Sequence, residues 1–352
     1  DNVVLSSTVQ TNGQVIVGGQ FTTFNGTSRN RIARLNADGS LDATFLNGLA
    51  GADATVNSVF LDNNQNPLQT TNVNKVLIGG AFGNVNGTAR NRVARLLSTG
   101  VLDASFVPPA LSGAAIVYAV AVQSDDSVIV AGNFNVGVRQ HIIRLLNNGT
   151  LDPTFLVSGA VGPNAEVRTV LLQSDGKLVI GGDFTSVNGV NINRIARLNS
   201  DGSLDTTFDP QAGASAVVRV VVADGPADGT SKYLVGGDFT GPSFGVAVTN
   251  KSLTANVATL TTAGNHGFNA ADLENNIVTV NLGDAVFDGT FTLASASGNT
   301  LTYNRTNANV ASTTVSPRGL VGLAGRPANR LAMLNNSGAI NSTFRDNLGS
   351  GA

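Results

Sequence analysis

The hydrophobic positions of this chain recur in one pattern, five times from end to end. Each unit has an apolar run that ends in Gly-Gly-x-Phe or Ala-Gly-x-Phe, then an Arg-bearing apolar strand, a polar turn and a segment related to Leu-Asp-x-Thr-Phe. Short apolar runs bounded by Gly-rich turns predict β-strands. A repeat of about 50 to 60 residues built from such strands is typical of a propeller or a repeat array. The apolar runs lie at residues 15–21, 76–82, 128–134, 178–184 and 233–239.

Each unit contains four strand-like stretches, the first of which is nearly continuously apolar, as at 116–123 in the third unit. We therefore predict an all-β fold, a five-bladed β-propeller of four-stranded antiparallel blades. The last phenylalanine, Phe344, is followed by Gly351-Ala352 just as Phe45 is followed by Gly51-Ala52. The end of the chain is thus in phase with its beginning, which a closed ring requires, although five units of a longer array would give the same pattern.

The fifth unit is interrupted between its second and third strands. Residues 246–323 show alternating Val, Thr and Leu runs separated by Asp-Gly and Gly-Asn turns, which predict a small antiparallel β domain. The predicted organisation is four blades and half of the fifth in 1–245, the inserted domain in 246–323, and the rest of blade five with the ring closure in 324–352. Inserted domains occur at exposed loop tips, so this one should project.

One arginine row and one aspartate row stand eight residues apart in the first four units and are lost together in the fifth, where Met333 and Asn341 take their places. A hairpin with Gly39 in the left-handed region would set Arg34 opposite Asp42. Losing one partner of a part-buried pair leaves a costly unpaired charge, so the joint loss indicates an intra-blade ion pair. The predicted pairs are Arg34 with Asp42, Arg95 with Asp103, Arg144 with Asp152, and Arg197 with Asp205.

Composition narrows the chemistry further. A net charge of −2 with 12% charged residues argues against electrostatic nucleic-acid binding, and the longest apolar run is too short to span a bilayer. The chain has no cysteine, and its two histidines, His141 and His266, lack partners at metal-ligand spacing, so we predict no metal site and no cofactor. Calcium at an Asp-Gly turn stays open. No nucleophile, phosphate loop or carboxylate pair stands apart from the repeats, and we predict a protein that is not an enzyme.

Two resemblances add a functional expectation. The repeat, best seen in LVIGGDF (178–184) and NRIARLNSDGSLDTTF (193–208), resembles the delta-60 β-propeller repeats of bacterial and phage surface proteins. The insert, through His266-Gly267-Phe268 and Phe287-Asp288-Gly289-Thr290, is similar to a small β module of bacteriophage tail and virion proteins, although the usual Gly-Asp after His-Gly-Phe is absent. These resemblances imply a virion structural protein, a tail or capsid surface appendage located on the virion surface.

The expected role is a rigid propeller platform for assembly, host-surface attachment, or both. Its partners would be other virion proteins or a host-surface glycan or protein, without nucleic acid or membrane insertion, and oligomerisation within a particle is compatible with this role. The alternative is a secreted or cell-surface bacterial adhesin that binds glycans, and an enzyme such as a lyase or glycosidase ranks third. The candidate partner surface comprises Asn25, Asn86, Asn188, His266, Phe268 and Phe287.

Overall fold

A computed structural model describes residues 1–62, 74–157, 159–210, 213–225, 231–239, 246–262, 277–323 and 331–338. The fold is all-β: the described residues form β-strands, bridges and turns, without a helix. Consequently, within those ranges, no helix has the length and apolar character needed to cross a membrane.

The first three repeat units form antiparallel sheets of three strands each. Sequence order is kept in the sheets β1-β2-β5, β6-β7-β10 and β11-β12-β13, and small hairpins β3-β4 and β8-β9 leave the first two. The strands are β1 (Val4–Val9), β2 (Val15–Gly19), β3 (Thr23–Phe24), β4 (Thr27–Ser28), β5 (Ile32–Leu35), β6 (Val56–Asp62), β7 (Lys75–Gly80), β8 (Asn84–Val85), β9 (Thr88–Ala89), β10 (Val93–Leu96), β11 (Ser112–Val122), β12 (Val128–Val136) and β13 (Arg139–Leu145).

The fourth and fifth units repeat this arrangement as sheets β14-β15-β18, with hairpin β16-β17, and β19-β20-β27. In the fifth sheet β20 pairs directly with β27, although residues 238–330 separate them in the chain. The strands are β14 (Val167–Leu172), β15 (Leu178–Gly182), β16 (Ser186–Val187), β17 (Val190–Asn191), β18 (Ile195–Leu198), β19 (Val218–Asp224), β20 (Lys232–Gly237) and β27 (Leu331–Leu334).

In the first four units the predicted fourth strand is reduced to one bridge, so these sheets have three strands rather than four, and the corresponding segment of the fifth unit lies outside the described residues. In the first unit Leu41 pairs with Leu35, and the chain turns away immediately afterwards. The turn follows from Asp42, whose carboxylate accepts hydrogen bonds from the Thr44 backbone amide at 2.8 Å and the Thr44 hydroxyl at 2.7 Å. An aspartate that binds the backbone two residues ahead favours a turn over a continuing strand.

The recurring Gly-Gly pair is a packing device. A Cβ on Gly80 would lie 2.1 Å from the Thr55 carbonyl oxygen of the adjacent strand, and a Cβ on Gly79 would lie 2.5 Å from a methyl of Val117 in the next sheet. Side chains do not fit at such distances, so both positions require glycine for close approach. The interpretation of these glycines as structural, made from their repetition, agrees with this geometry.

The chain segment between β20 and β27 forms a closed six-stranded barrel in the order β21-β22-β25-β24-β23-β26. Its core includes Val248, Leu260, Phe287, Leu301 and Tyr303, all fully buried. Alternate residues of β22 and β25 point inward, as the strand period of two requires. The strands are β21 (Val246–Thr254), β22 (Val257–Thr262), β23 (Ile277–Asn281), β24 (Gly289–Ser297), β25 (Thr300–Asn304) and β26 (Val310–Leu323).

By contact density the chain divides into two compact units. The first comprises Asp1–Val190 with Leu198–Leu204, and the second comprises Asn191–Arg197 with Asp205–Ala352. The first unit contains core clusters such as that of Ile16, Phe45, Val56 and Phe82, which joins side chains of the first two repeats. The barrel core lies in the second unit.

Candidate functional site

The predicted arginine–aspartate pairs lie together in all four repeats, with the same atoms in contact. The Nε–Oδ2 distances are 2.7 Å for Arg34–Asp42, 2.8 Å for Arg95–Asp103, 2.6 Å for Arg144–Asp152 and 2.7 Å for Arg197–Asp205. The turn between the two residues has Gly39 at φ +83°, the left-handed conformation expected of it. The Asp42 amide donates to the Arg34 carbonyl at 2.9 Å, which places the two residues opposite each other.

Each arginine is also held by the Thr-Phe end of its own repeat. In the first repeat the Arg34 guanidinium lies 4.9 Å from the centre of the Phe45 ring and donates to the Thr44 hydroxyl at 3.3 Å. The same stacking recurs on Phe106, Phe155 and Phe208 at 4.7 to 5.1 Å. A cation over a desolvated ring adds attraction that a neutral side chain would lack.

The same guanidinium groups reach beyond their own sheet. Arg34 donates through Nη1 to the Ser98 carbonyl at 2.6 Å, in the last turn of the next repeat. The corresponding acceptors are the Asn147 side-chain oxygen for Arg95, the Ser200 carbonyl for Arg144 and the Asn336 carbonyl for Arg197. The arginine row therefore ties each repeat to the following one, a role that the sequence pattern did not predict. We call this row the arginine ladder.

Three aspartates of the ladder, Asp42, Asp103 and Asp152, are ionised at neutral pH. Burial by itself would raise the pKa of Asp42, but hydrogen bonds from Thr44 and Arg34 outweigh burial and lower it to about 2. The same opposition, with Ser105, Lys75 and Arg95 as donors, lowers the pKa of Asp103, and Thr154 and Arg144 lower that of Asp152. The carboxylates are fully used inside the fold, so the ladder offers structure rather than a binding site.

Three of the six residues of the predicted partner surface have side chains that the fold itself uses. Asn86 and Asn188 are half-buried. The Asn86 side chain accepts from the Gly51 amide at 3.0 Å and donates to the Gly100 carbonyl at 2.9 Å, and Asn188 does the same with Gly162 and Gly202. Each of these side chains joins the end of the preceding repeat to the last turn of its own repeat, and a role in partner binding stays a prediction. Asn25, at the equivalent turn, is exposed.

The prediction that Phe287 lies on the partner surface is wrong. Its side chain is fully buried in the barrel core, and its carbonyl accepts a hydrogen bond from the Tyr303 hydroxyl at 2.8 Å. The Phe-Asp-Gly turn looked exposed in the sequence, but Asp288 folds back to accept from the Leu282 and Asp284 amides, which turns Phe287 inward. His266 and Phe268 lie outside the described residues.

The Asp-Gly turns use their acids for turn formation. Asp38 accepts from the Ser40 amide at 2.9 Å and from the Ser40 hydroxyl at 2.6 Å, and Asp201 accepts from the Ser203 amide at 2.9 Å. Asn148 binds Thr150 in the same way in the third repeat, where no acid is present. Among the described residues no group of three or more His, Asp or Glu side chains is arranged to hold a metal ion.

A second polar cluster, not predicted from the sequence, lies between the third and fourth units, and its Arg168–Asp183 pair recurs as Arg219–Asp238 in the fifth unit. Arg168 on β14 binds Glu166 at 2.5 Å and Asp183 at 2.9 Å, and its guanidinium lies 4.7 Å from the centre of the Tyr118 ring. The side chain of Asn133 on β12 donates to Glu166 at 2.9 Å. The ion-paired side chains are 23% to 29% exposed, so the cluster is partly accessible to solvent.

The electrostatics of this cluster limit its chemistry. Burial, followed by the negative charge of Glu166, raises the pKa of Tyr118. Burial lowers the pKa of the neighbouring His141, against the opposing influence of the Gly132 carbonyl and Glu166, so the imidazole is neutral at pH 7. Both carboxylates share Arg168, and neither is poised as a free base. The arrangement suits polar recognition or local structure better than acid–base catalysis.

Alignment of the repeats could have found this cluster. His141 occupies the position of Arg31, Arg92 and Arg194, and Glu166 is one of only two glutamates in the chain. Residues that depart in chemistry from their repeat equivalents are candidates for function, whereas the recurring residues serve packing. The ion-pair partners of Arg168 are 2 and 15 residues away along the chain, a spacing that only the sheet register makes meaningful.

Comparison with known proteins supports the repeat assignment. Residues 10–45, 74–106, 123–155 and 173–208 match a family described as "Domain of unknown function (DUF5122) beta-propeller". The matches cover the first four repeats, from the second strand to the Leu-Asp-x-Thr-Phe segment. These four segments are therefore similar to the repeats of a β-propeller family. A search of curated protein sequences finds no match.

Solved structures that are similar to this chain are distant in sequence. A streptogramin B lyase has 12% identity and a TM-score of 0.39 over 74% of this chain and 65% of its own. The extracellular domains of a hybrid two-component system and a one-component system from B. thetaiotaomicron have 17% and 11% identity, each with a TM-score of 0.38. They align over 76% and 79% of this chain, which spans 33% and 42% of theirs. Similarities with such low identities and TM-scores do not indicate an activity for this chain.

Proposed function

We propose that this protein is a non-enzymatic virion surface component, a propeller platform that presents the six-stranded barrel to a partner. In this proposal the five sheets are blades of one closed ring, and the barrel is a domain inserted into the fifth blade. The observation that carries it is the chain path at the barrel. Paired strands β20 and β27 flank a separate closed barrel with its own apolar core.

The arginine ladder supports the platform role. Each guanidinium is held by an aspartate and a phenyl ring of its own repeat and by an oxygen of the next repeat. Hydrogen bonds to charged groups each contribute roughly 1.5 to 3 kcal/mol, and a repeated set of them resists the sliding of one sheet on the next. A scaffold that carries a displayed domain needs this kind of stiffness.

Ring closure is supported by the phase of the repeats. Asn86 accepts a hydrogen bond from Gly51 of the preceding repeat, and Asn188 accepts one from Gly162. The sequence repeats Gly51-Ala52 at Gly351-Ala352.

Attachment through the barrel is supported by the resemblance of its sequence to small β modules of bacteriophage virion proteins, and by its position outside the repeat pattern. The partners we propose are other virion proteins or a glycan or protein of the host surface. The carboxylates of the Arg168 cluster are held by the guanidinium, which favours a non-enzymatic role over a hydrolytic one.

The test is binding of the labelled full chain to a panel of bacterial cells, beside a variant in which residues 246–323 are replaced by a short turn. We expect the full chain to bind and the variant to lose binding while keeping its thermal unfolding transition. An antibody against the barrel should label intact particles. Equal binding by both proteins would overturn attachment through the barrel, and a barrel antibody that labels bacterial cells but no particle would replace the virion proposal with the adhesin alternative.

A further inference from the structure

A cleft of about 290 Å³ opens between the third and fourth repeats, within the first compact unit. Its walls include the apolar side chains of Leu156, Ala160 and Leu204, and Asp201 and Ser203 add polar groups. Leu156 is 4% exposed and forms the inner end, whereas Asp201 is exposed. The volume lies just below the roughly 300 to 1,000 Å³ of ordinary small-molecule sites, so the cleft suits a small ligand.

The cleft exists because the third repeat lacks a side chain that the first repeat has. Ala160 is the structural equivalent of Leu49: each amide donates at 3.2 Å to the carbonyl three residues earlier, Val157 and Leu46 respectively. Two residues further on, Gly51 and Gly162 bind Asn86 and Asn188 in the same way. Leu49 packs against the core shared by the first two repeats. Its replacement by Ala160 removes three carbon atoms from the equivalent place.

The residues at the mouth differ from those at the equivalent place between the first two repeats as well. Asp201 and Ser203 stand where the second repeat has Thr99 and Val101. Hydrogen bonds from Ser203 lower the pKa of Asp201, so its carboxylate is charged at neutral pH. Arg144 also acts on this carboxylate, but it is paired with Asp152 at 2.6 Å, and among the described residues it forms no ion pair with Asp201. A cleft with apolar side chains on part of its wall and an exposed carboxylate outside any ion pair is complementary to a short apolar group that ends in a positive charge.

We propose that this cleft binds a small primary aliphatic amine, with its hydrocarbon chain against Leu156, Ala160 and Leu204 and its ammonium group on the Asp201 carboxylate. The polarity of the cleft sets the orientation, because the acid is exposed and the inner end is apolar. A free alkylammonium enters tail first and keeps its charge at the mouth. A lysine side chain would enter with its ammonium group leading and place the charge against Leu156, an unpaired burial that costs several kcal/mol. The proposal is independent of the attachment function.

The test uses n-butylammonium and neutral 1-butanol as probes, followed by NMR of the Ala160, Leu156 and Leu204 methyl groups in the full chain. Two variants are used, and each introduces a residue that another repeat has at the equivalent position. Ala160→Leu introduces the leucine found at Leu49, and Asp201→Thr introduces the threonine found at Thr99. We expect Ala160→Leu to weaken binding of both probes at least tenfold. Asp201→Thr should weaken butylammonium to the level of butanol and leave butanol unchanged. Thermal unfolding of each variant at or above the wild-type temperature confirms that it is folded.

Leu49→Ala serves as a matched gain-of-cavity control, because it opens the equivalent place between the first two repeats, where Thr99 and Val101 supply no charge. That variant should acquire a second site for butanol without a preference for the amine. The proposal is overturned if Ala160→Leu binds butylammonium as tightly as the wild type, or if the wild type binds the two probes equally and Asp201→Thr changes neither.

Discussion

The repeated sheets and the barrel differ in how the edges of their β-sheets are paired or covered. The barrel closes its six strands on themselves, so every strand has two hydrogen-bonded neighbours and the core is one apolar cluster. The repeat sheets are open, with three strands each and a single bridge in place of a fourth. Because an open sheet leaves unpaired edges, each repeat depends on its neighbours for burial.

The difference appears in where the charged residues are placed. In the first four repeats an ion pair stands inside the sheet and its arginine reaches the following repeat. In the barrel the contacts are made to turns: Lys251 of β21 binds Asp284, and Arg305 donates to the Val286 carbonyl at 2.9 Å. A closed sheet needs no side-chain tie to a neighbour, whereas an array of open sheets does. The predictions below test this contrast, beginning with the largest expected effect.

Arg34→Met should destabilise the arginine ladder most, and it introduces the methionine that the fifth repeat has at this position, Met333. It leaves Asp42 buried without its arginine, and we expect a loss of about 3 to 5 kcal/mol in the free energy of unfolding of the first repeats. The double variant Arg34→Met/Asp42→Asn, which copies both changes of the fifth repeat, should recover much of that loss. Urea unfolding of the four proteins in a double-mutant cycle measures the coupling. A double variant as unstable as the sum of the single ones would contradict a coupled pair.

Acid should weaken the ladder before it weakens the barrel core. The pKa values of Asp42, Asp103 and Asp152 are all lowered in the folded protein, that of Asp42 to about 2. A group whose pKa is lower in the folded state than in the unfolded state adds stability above its unfolded pKa, near 3.8, which is lost as pH falls towards the folded value. We therefore expect the urea midpoint to fall steeply between about pH 4 and pH 2. Asp42→Asn should flatten this dependence, and an unchanged slope would show that Asp42 contributes none of it.

Asn86→Ala and Asn25→Ala form a matched pair of variants that tests whether the proposed ring is closed. Asn86 binds Gly51 and Gly100, so its loss should cost about 1 to 3 kcal/mol because a part-buried amide and carbonyl lose their partners. If the ring closes, Asn25→Ala should cost a similar amount. Thermal unfolding of both variants decides the matter, since a neutral Asn25→Ala beside a destabilising Asn86→Ala would contradict closure.

The smallest expected effect is in the barrel. Tyr303→Phe removes the hydroxyl that donates to the Phe287 carbonyl and leaves the apolar core in place. We expect a loss of roughly 1 kcal/mol, because one buried hydrogen bond disappears while the packing stays. Urea unfolding followed by far-ultraviolet circular dichroism, with wild type and variant compared, measures it. A loss as large as that of Arg34→Met would mean that the barrel, too, depends on a buried polar network.

The sequence by itself determined what repeats: the strands, the Gly-Gly positions, the left-handed turn at Gly39 and the opposition of Arg34 to Asp42. These features depend on local alternation, turn chemistry and a spacing of eight residues within one hairpin, all of which are visible in one dimension. The joint loss of both charges in the fifth repeat was enough to indicate the pair.

The tertiary structure decided what crosses from one repeat to another. The reach of Arg34 to Ser98, the use of Asn86 between repeats, the burial of Phe287 and the convergence of Glu166, Arg168 and Asp183 all depend on how sheets and strands pack. The cleft at Ala160 also depends on packing, because the first repeat has the larger Leu49 side chain at the equivalent place. Burial and contacts over 20 to 64 residues are properties of the packed chain, because no local pattern records which neighbour a side chain will face.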